Sequence, residues 1–421
     1  MNNHPTSNTL MSMKRLGEWL PTREATLCEF RKKLAAHVKE NRLDQELFPV
    51  VRELAELVNT NPILRMYFTK AISQAVEFCH KKGYELGYTT FDELIGLING
   101  VMTQSISFDT TELVGCPLNA LLDWPMCMPS GFSLFRFPEL NAQLKNVLNF
   151  WCNFLSGPDS RTYLNDTAPT GWFCNEAIEK TQMMQFECDP TQPYWGFTSW
   201  NNFFTRRFKP GERPVASPND SKVIVSACEA TPYNIQTDVK LQDTFWIKSQ
   251  PYSLQDMFTA SRAKWAELFV GGSVYQAFLS AYNFHRWNTP VTGTIVDAYQ
   301  VDGTYYSDAT SEGLDPAGPN NSQGYITAVA ARAVVILKCD DPALGHVACV
   351  FVGMAEISSC IIDRKIGEHV QKGDELGYFQ YGGSTHCLIF QPGVIQSFIP
   401  KPPFDINTQP IAVNSQIATA N

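Results

Sequence analysis

The chain has 421 residues, 44% hydrophobic and 18% charged, with a formal net charge of −9. Its length exceeds one ordinary core and predicts two domains or one with a large extension, while its composition is that of a folded globular protein. The acidic balance excludes a nucleic-acid surface, which needs a basic footprint, and weighs against docking on anionic membranes.

Residues 1–20 lack an unbroken apolar core, so no signal peptide is expected. The most apolar stretches, 328–337 and 346–357, are too short to span a bilayer. The 12 cysteines include no C-x-x-C pair and read as reduced, mostly buried thiols of a cytoplasmic protein. None of the seven histidines has a second ligand at metal spacing, so no metal is expected.

In chain order, Leu47, Val50, Val51, Leu54, Leu57 and Val58 share one face at helical period. Asn61-Pro62 punctuates the chain before a second periodic run over 63–79. Thr90 with Glu93 predicts a capping box opening a helix over 91–102. Leu144, Val147, Leu148, Trp151, Phe154 and Leu155 mark another helix, closed by Gly157. These stripes read as packing surfaces. Residues 156–170 are turn-rich and form a candidate linker, and a helical piece over 171–185 leads into the aromatic run 195–208.

From about Ser221 the texture changes to short β-type runs at 222–227, 293–299, 329–337 and 347–353. The segment 311–324 reads as a long loop of the lid type. The predicted fold class is therefore α+β: a helical N-terminal region, 1–190, followed by a β-rich domain, 191–421.

The most informative segment is GEHVQKGDELGYFQYGGST, residues 367–385. Val370, the Lys372-Gly373-Asp374 turn and Leu376 predict two short strands joined by a tight hairpin. Phe379 and Tyr381 carry the alternation into Gly382-Gly383-Ser384-Thr385, where two glycines permit a strained approach to the serine. By itself G-G-S-T is most simply a turn. It is no hydrolase nucleophile elbow, because His386 stands where glycine is needed. Glu356 and Asp363 read as solvated turn residues, and Cys228 and Cys387 as packing.

The KGDELG run into G-S-T resembles the end of the catalytic domain of phosphatidylserine decarboxylases. NNFFTRRF at 201–208 with Arg213-Pro214, Lys248 with Tyr252-Ser253-Leu254, and FHRWNTPVTG at 284–293 resemble three further motifs of that family, in order. The helical half is similar to the fungal branch that includes the L-tryptophan decarboxylase of psilocybin biosynthesis. The likeness lies in GFSLF, LNAQLKNVLNFWCNFLS and GWFCNEAI, with SACE at 226–229 and Tyr233-Asn234.

The resemblance implies a pyruvoyl-dependent carboxy-lyase with no pyridoxal phosphate and no metal. Ser384 Oγ would attack the Gly383 carbonyl, and elimination of the ester would leave residues 384–421 with an N-terminal pyruvoyl group. That group would act as the electron sink for decarboxylating a free, aromatic, tryptophan-like L-amino acid. His285 matches the first histidine of the family's H-x-x-H strand and would be the general acid. Lys248, Phe284 and Trp287 are the substrate-binding candidates.

The chain departs from the family at Asn288, where the second histidine would drive self-cleavage, and Glu229 stands at the family's triad aspartate. Asparagine cannot take a proton from serine. Three accounts stay open: a substitute base, with His386 on the same face as Ser384; a natural uncut member without activity; or an engineered change that traps the precursor. Phosphatidylserine decarboxylation and an uncut, non-catalytic protein are the rival functions. The expected partners are a small amino-acid substrate and, compatibly, a second copy of the chain, with neither nucleic acid nor integral membrane association.

Overall fold

The computed structural model describes residues 16–243, 252–309, 322–357, 359–405 and 407–421. The helical half opens with α1 (Glu24–Glu40), α2 (Pro49–Thr60), α3 (Pro62–Lys81) and α4 (Phe91–Val101). It continues through α5 (Pro117–Met126), α6 (Pro129–Leu134), α7 (Pro138–Leu155), α8 (Asn175–Thr181) and α9 (Trp200–Phe204). The local signals explain these bounds. Proline stands in the first turn of α2, α3, α5, α6 and α7, where its missing N–H is no loss. The Thr90–Glu93 capping box is formed, and the Asn61 side chain caps α3 through the N–H groups of Ile63 and Leu64.

The turn-rich stretch 156–170 is packed rather than a linker. Ser160 is buried, donates to the Leu155 carbonyl at 3.0 Å and accepts from the Trp200 N–H at 2.9 Å.

The second half holds strands β1 (Val223–Val225), β2 (Thr231–Thr237), β3 (Ser273–Leu279), β4 (Arg286–Asn288) and β5 (Gly293–Val301). After them come β6 (Arg332–Cys339), β7 (His346–Ala355), β8 (Cys360–Ile362), β9 (His369–Val370) and β10 (Glu375–Phe379). The last are β11 (Gly383–Phe390), β12 (Ile395–Phe398) and β13 (Gln416–Ala420). An antiparallel sheet of seven strands, in the order β2-β3-β11-β7-β6-β5-β9, forms the centre. Two three-stranded sheets, β1-β13-β12 and β4-β10-β8, pack on one face through Ile224, Ile417, Trp287 and Phe379. Helices α10 (Leu254–Phe258), α11 (Ala263–Leu268) and α12 (Gln323–Val329) cover the other face. The chain is thus α+β, a helical region followed by a β-rich one. The lid-like stretch 311–324 lies mostly outside the described residues, and its last two, Gln323 and Gly324, begin α12.

The expected hairpin at 367–385 is not one. The Lys372-Gly373-Asp374 turn forms, with Gly373 at φ +91°, but β9 joins β5 whereas β10 joins β4 and β8. Lys372 explains the divergence. Its buried Nζ donates to the carbonyls of Ser217, Asp220 and Val223 at 2.7–2.8 Å, pinning the turn to the β1 edge. Lys372→Met leaves those carbonyls unmet and is expected to cost about 3 kcal/mol. A urea titration of both proteins reads this as a lower midpoint.

Candidate active site

Ser384 is the second residue of β11, the strand between β3 and β7. Gly383 stands opposite Ala355 but Ser384 opposite Gly353, so Met354 is an extra residue on β7 and a bulge sits at the Gly383-Ser384 peptide. Bulges of this kind re-aim side chains. Gly382 has φ +140°, and a Cβ there would lie 2.5 Å from both the Ala355 oxygen and the Ile357 nitrogen. Gly383 is different: its Cβ would meet ordinary contacts at 3.6 Å or more. Gly382→Ala is therefore expected to disrupt the arm, by about 2–4 kcal/mol, whereas Gly383→Ala should be tolerated structurally. Thermal unfolding of the two variants side by side checks this.

Ser384 is fully buried, and its Oγ has no hydrogen-bond partner among the described residues. No imidazole of those residues therefore reaches it at hydrogen-bond distance. Strand alternation puts Ser384, His386, Leu388 and Phe390 on one face, and Leu388 and Phe390 belong to the core beneath the two small sheets. His386 is buried there near Tyr275 and Phe351 with both ring nitrogens unpartnered, not partly exposed as a role-free histidine would be. Burial lowers its pKa to about 4, so the ring is neutral.

His285 precedes β4 and is fixed by its carbonyl, which accepts from the Phe379 N–H at 3.0 Å. Its ring stacks on Phe204 of α9 at 3.9 Å between centroids, and Trp19 meets it edge-on at 5.7 Å. Burial first, and the Arg206 guanidinium second, hold its pKa well below the usual 6.5. His285 is thus a neutral imidazole, an N–H donor and a lone-pair acceptor rather than an imidazolium.

Trp19 closes the arrangement. Its Nε1 donates to the Leu279 carbonyl at 2.9 Å, opposite Ser384, and its ring lies 5.9 Å from that of Tyr381. The indole also lies against the Cβ position of Gly383. Arg206, buried under the rings of Phe186 and Phe203, donates to the carbonyls of Phe203 and Tyr282. Arg206 also lines a cleft of about 320 Å³ together with Trp195, Phe197 and Arg286. Trp19 carries no motif and escapes sequence reasoning; Arg206 lies within the aromatic run at 201–208, where its charge among phenylalanines was the available signal.

The other expected residues fall in separate places. Glu229 is held by Arg213 in a bidentate pair, both N–O distances 2.8 Å. Asn288 Nδ2 donates to Asn414 Oδ1 at 3.2 Å, and Asn414 Nδ2 donates to the Arg213 carbonyl at 3.0 Å. Glu229 and Asn288 thus share one polar chain, but it runs through Arg213 and Asn414. Trp287 is buried and stacked on Phe351 at 4.0 Å, and Phe284 is buried against Phe208 at 4.7 Å. Lys248 lies outside the described residues. Glu356, read from sequence as solvated, is only 1% exposed, because α5 closes over the end of β7.

No helix among the described residues is long and apolar enough to cross a membrane, and these residues contain no His/Cys/Asp/Glu group arranged to hold a metal ion. A pyruvoyl group formed from Ser384 fits the residues present: a buried hydroxyl, unpartnered among the described residues, follows a glycine pair at a bulge, and Trp19 packs against both the Gly383 position and the neutral His285 imidazole.

Two family models, both described as phosphatidylserine decarboxylase, match residues 48–181 and 200–406. The decarboxylase iboD of Amanita muscaria is 39% identical over 68% of this chain and 86% of its own length. The L-tryptophan decarboxylase of Psilocybe cubensis is 30% identical over 90% of this chain and 88% of its own. Phosphatidylserine decarboxylase proenzyme 3 of Schizosaccharomyces pombe is 31% identical over 48% of this chain and 20% of its own. With both halves matched and the Gly-Gly-Ser bulge at the end of the central sheet, the chain belongs to the phosphatidylserine decarboxylase family of decarboxylases.

Proposed function

We propose that the protein is a pyruvoyl-dependent decarboxylase of a free aromatic L-amino acid, matured by its own serinolysis at Gly383-Ser384. The observation that carries this reading is the Ser384 hydroxyl, unpartnered among the described residues, at a bulge behind Gly382-Gly383, with Trp19 packed against both the Gly383 position and the His285 ring. In maturation the Ser384 hydroxyl loses its proton and its oxygen adds to the Gly383 carbonyl carbon. The carbon–nitrogen bond then breaks to give an ester. Loss of the Ser384 α-proton and of Gly383 as a carboxylate leaves an enamine, which tautomerises and takes up water, releasing ammonia and leaving the ketone.

The pyruvoyl group supplies an electron sink when present. His285 is the group assigned to hold or deliver a proton at the substrate's α-carbon, and the aromatic enclosure excludes water. The proposed organisation is a helical region, 1–190, serving a catalytic domain, 191–421. The substrate class rests on likeness to the tryptophan decarboxylases across both halves of the chain. Lys248, Phe284 and Trp287 remain the proposed substrate contacts, and a cytoplasmic location is proposed with them.

A second reading has a specific observation behind it. Among the described residues no imidazole meets Ser384, and the Glu229 carboxylate is already matched to Arg213, which favours an uncut, non-catalytic chain. Intact mass under denaturing conditions, with carbon dioxide release from tryptophan and from phosphatidylserine vesicles, tests the two. Cutting with release from the free amino acid is expected. Release from vesicles alone would transfer the function to the lipid, and a permanently uncut chain would support the second reading.

A further inference from the structure

Beyond Ser384 and the histidines, the scissile arm touches the backbone of a buried glutamate whose carboxyl group neither the motifs nor the mechanism uses. Glu356 follows the last residue of β7 with φ +64°, a left-handed conformation that side chains seldom adopt. A Cβ on Gly382 would lie 2.6 Å from the Glu356 carbonyl carbon, so the arm and the backbone of Glu356 are in direct contact. The Glu356 side chain turns inward. Its Oε1 accepts from the Asn119 N–H of α5 at 2.6 Å, and its Oε2 is buried.

Cys116, the residue before α5, joins this carboxyl to the scissile arm. Its thiol donates to the Ala355 carbonyl at 4.0 Å, on the residue that precedes Glu356, stands opposite Gly383 and abuts Gly382, and the Glu356 carboxyl and the Gly383 backbone both act on it electrostatically. Tyr381, adjoining Gly382, donates its hydroxyl to the Gly115 carbonyl, one residue before Cys116. Tyr306 lies beside Glu356 with its own hydroxyl buried and unpartnered. A carboxylate here would face no cation among its named neighbours. Burial accordingly holds the Glu356 pKa well above the usual value despite the Asn119, Leu118 and Cys116 contacts. The group is a neutral acid, with one oxygen anchored on α5 and the other able to donate.

We propose that Glu356 is a positioning residue for self-cleavage, holding the Gly382-Gly383 arm through Cys116 and accommodating the carboxylate that the cut creates at Gly383. A neutral acid suits both stages. Before the cut it fixes the arm against the β7 bulge, and afterwards it adds no second negative charge beside the new chain end. The proposal rests on the reading that Gly383-Ser384 is cut.

The test is the rate of appearance of the 384–421 fragment from freshly purified full-length chain, with and without hydroxylamine to capture the ester. Glu356→Gln stays neutral and keeps a donor, so it should cut within about threefold of wild type. Glu356→Leu removes the donor and should cut about 100-fold more slowly, the scale of a slightly misplaced reacting group. The slow variant should keep wild-type circular dichroism, which loss of fold would not, and hydroxylamine then divides the cause: the cut stays slow where the misplaced arm limits ester formation and is restored where release of the Gly383 carboxylate is limiting. Cys116→Ala interrupts the same link at small volume change and should slow cutting about tenfold, so the proposal stays open to test if the leucine variant precipitates. Wild-type cutting rates in both Glu356→Leu and Cys116→Ala would overturn it. So would a Glu356→Gln as slow as the leucine variant, since that would require an ionised carboxylate. A wild-type chain that never cuts overturns the underlying reading instead.

Discussion

Ser384→Ala is expected to remain a single chain of 421 residues indefinitely and to release no carbon dioxide from any amino acid. The alanine methyl cannot attack the Gly383 carbonyl, so neither ester nor ketone forms. The loss should be complete rather than partial, because no neighbouring hydroxyl can take its place on that face: the next residue, Thr385, points to the opposite face and is bound to Ala277 and Gln276. Intact mass and carbon dioxide release, measured on one preparation, decide the matter. Decarboxylation by the alanine variant would refute a pyruvoyl mechanism outright.

The second large effect concerns Asn288. Asn288→His introduces an imidazole on β4, beside Asn414 and within the polar chain that ends at Glu229. General-base assistance accelerates such steps by about 10²–10⁴-fold, so cutting should become visible within one incubation. Glu229 can orient the new ring only by releasing part of its pairing with Arg213, which predicts the lower end of that range. His386→Ala belongs in the same experiment. With a pKa near 4 the His386 ring is unprotonated but a weak base. Loss of cutting in His386→Ala, restored by adding Asn288→His, would identify it as the substitute base. Equal rates in wild type and both single variants would show that neither position limits the reaction.

Local chemistry made much of this fold legible. The Thr90–Glu93 cap, the Asn61-Pro62 break and apolar periodicity located α2, α3, α4 and α7, because each signal acts within one or two turns. The Lys372-Gly373-Asp374 turn was equally readable, but its flanking strands were not. Which sheet a strand joins depends on a distant anchor, here Lys372 held by carbonyls from 217 to 223. The candidate site divides the same way. Ser384, His285 and Asn288 stand in motifs, whereas Trp19 meets Gly383, and Glu356 meets Gly382, only through tertiary contacts. Glu356 was misread for a physical reason: an acid between a strand and a turn is ordinarily solvated, and only α5, more than 200 residues earlier, makes it buried.

The central place of β11 carries a consequence for the order of events. Residues 384–421 contain β11, β12 and β13, with β11 enclosed by β3 and β7, and β13 by β1 and β12. A cut at 383–384 would leave both pieces interlocked, since neither can depart without tearing a strand from the middle of a sheet. Folding must therefore come first, while the chain is continuous and the search for β11 is intramolecular. Once cut and denatured, the pieces would have to find each other from solution, with a slot open along β3 and β7 that any extended chain could enter. The uncut protein would refold from urea and the cut one would not: the bond between Gly383 and Ser384 resembles the centring under an arch, indispensable during assembly and removable only after the last stone is set.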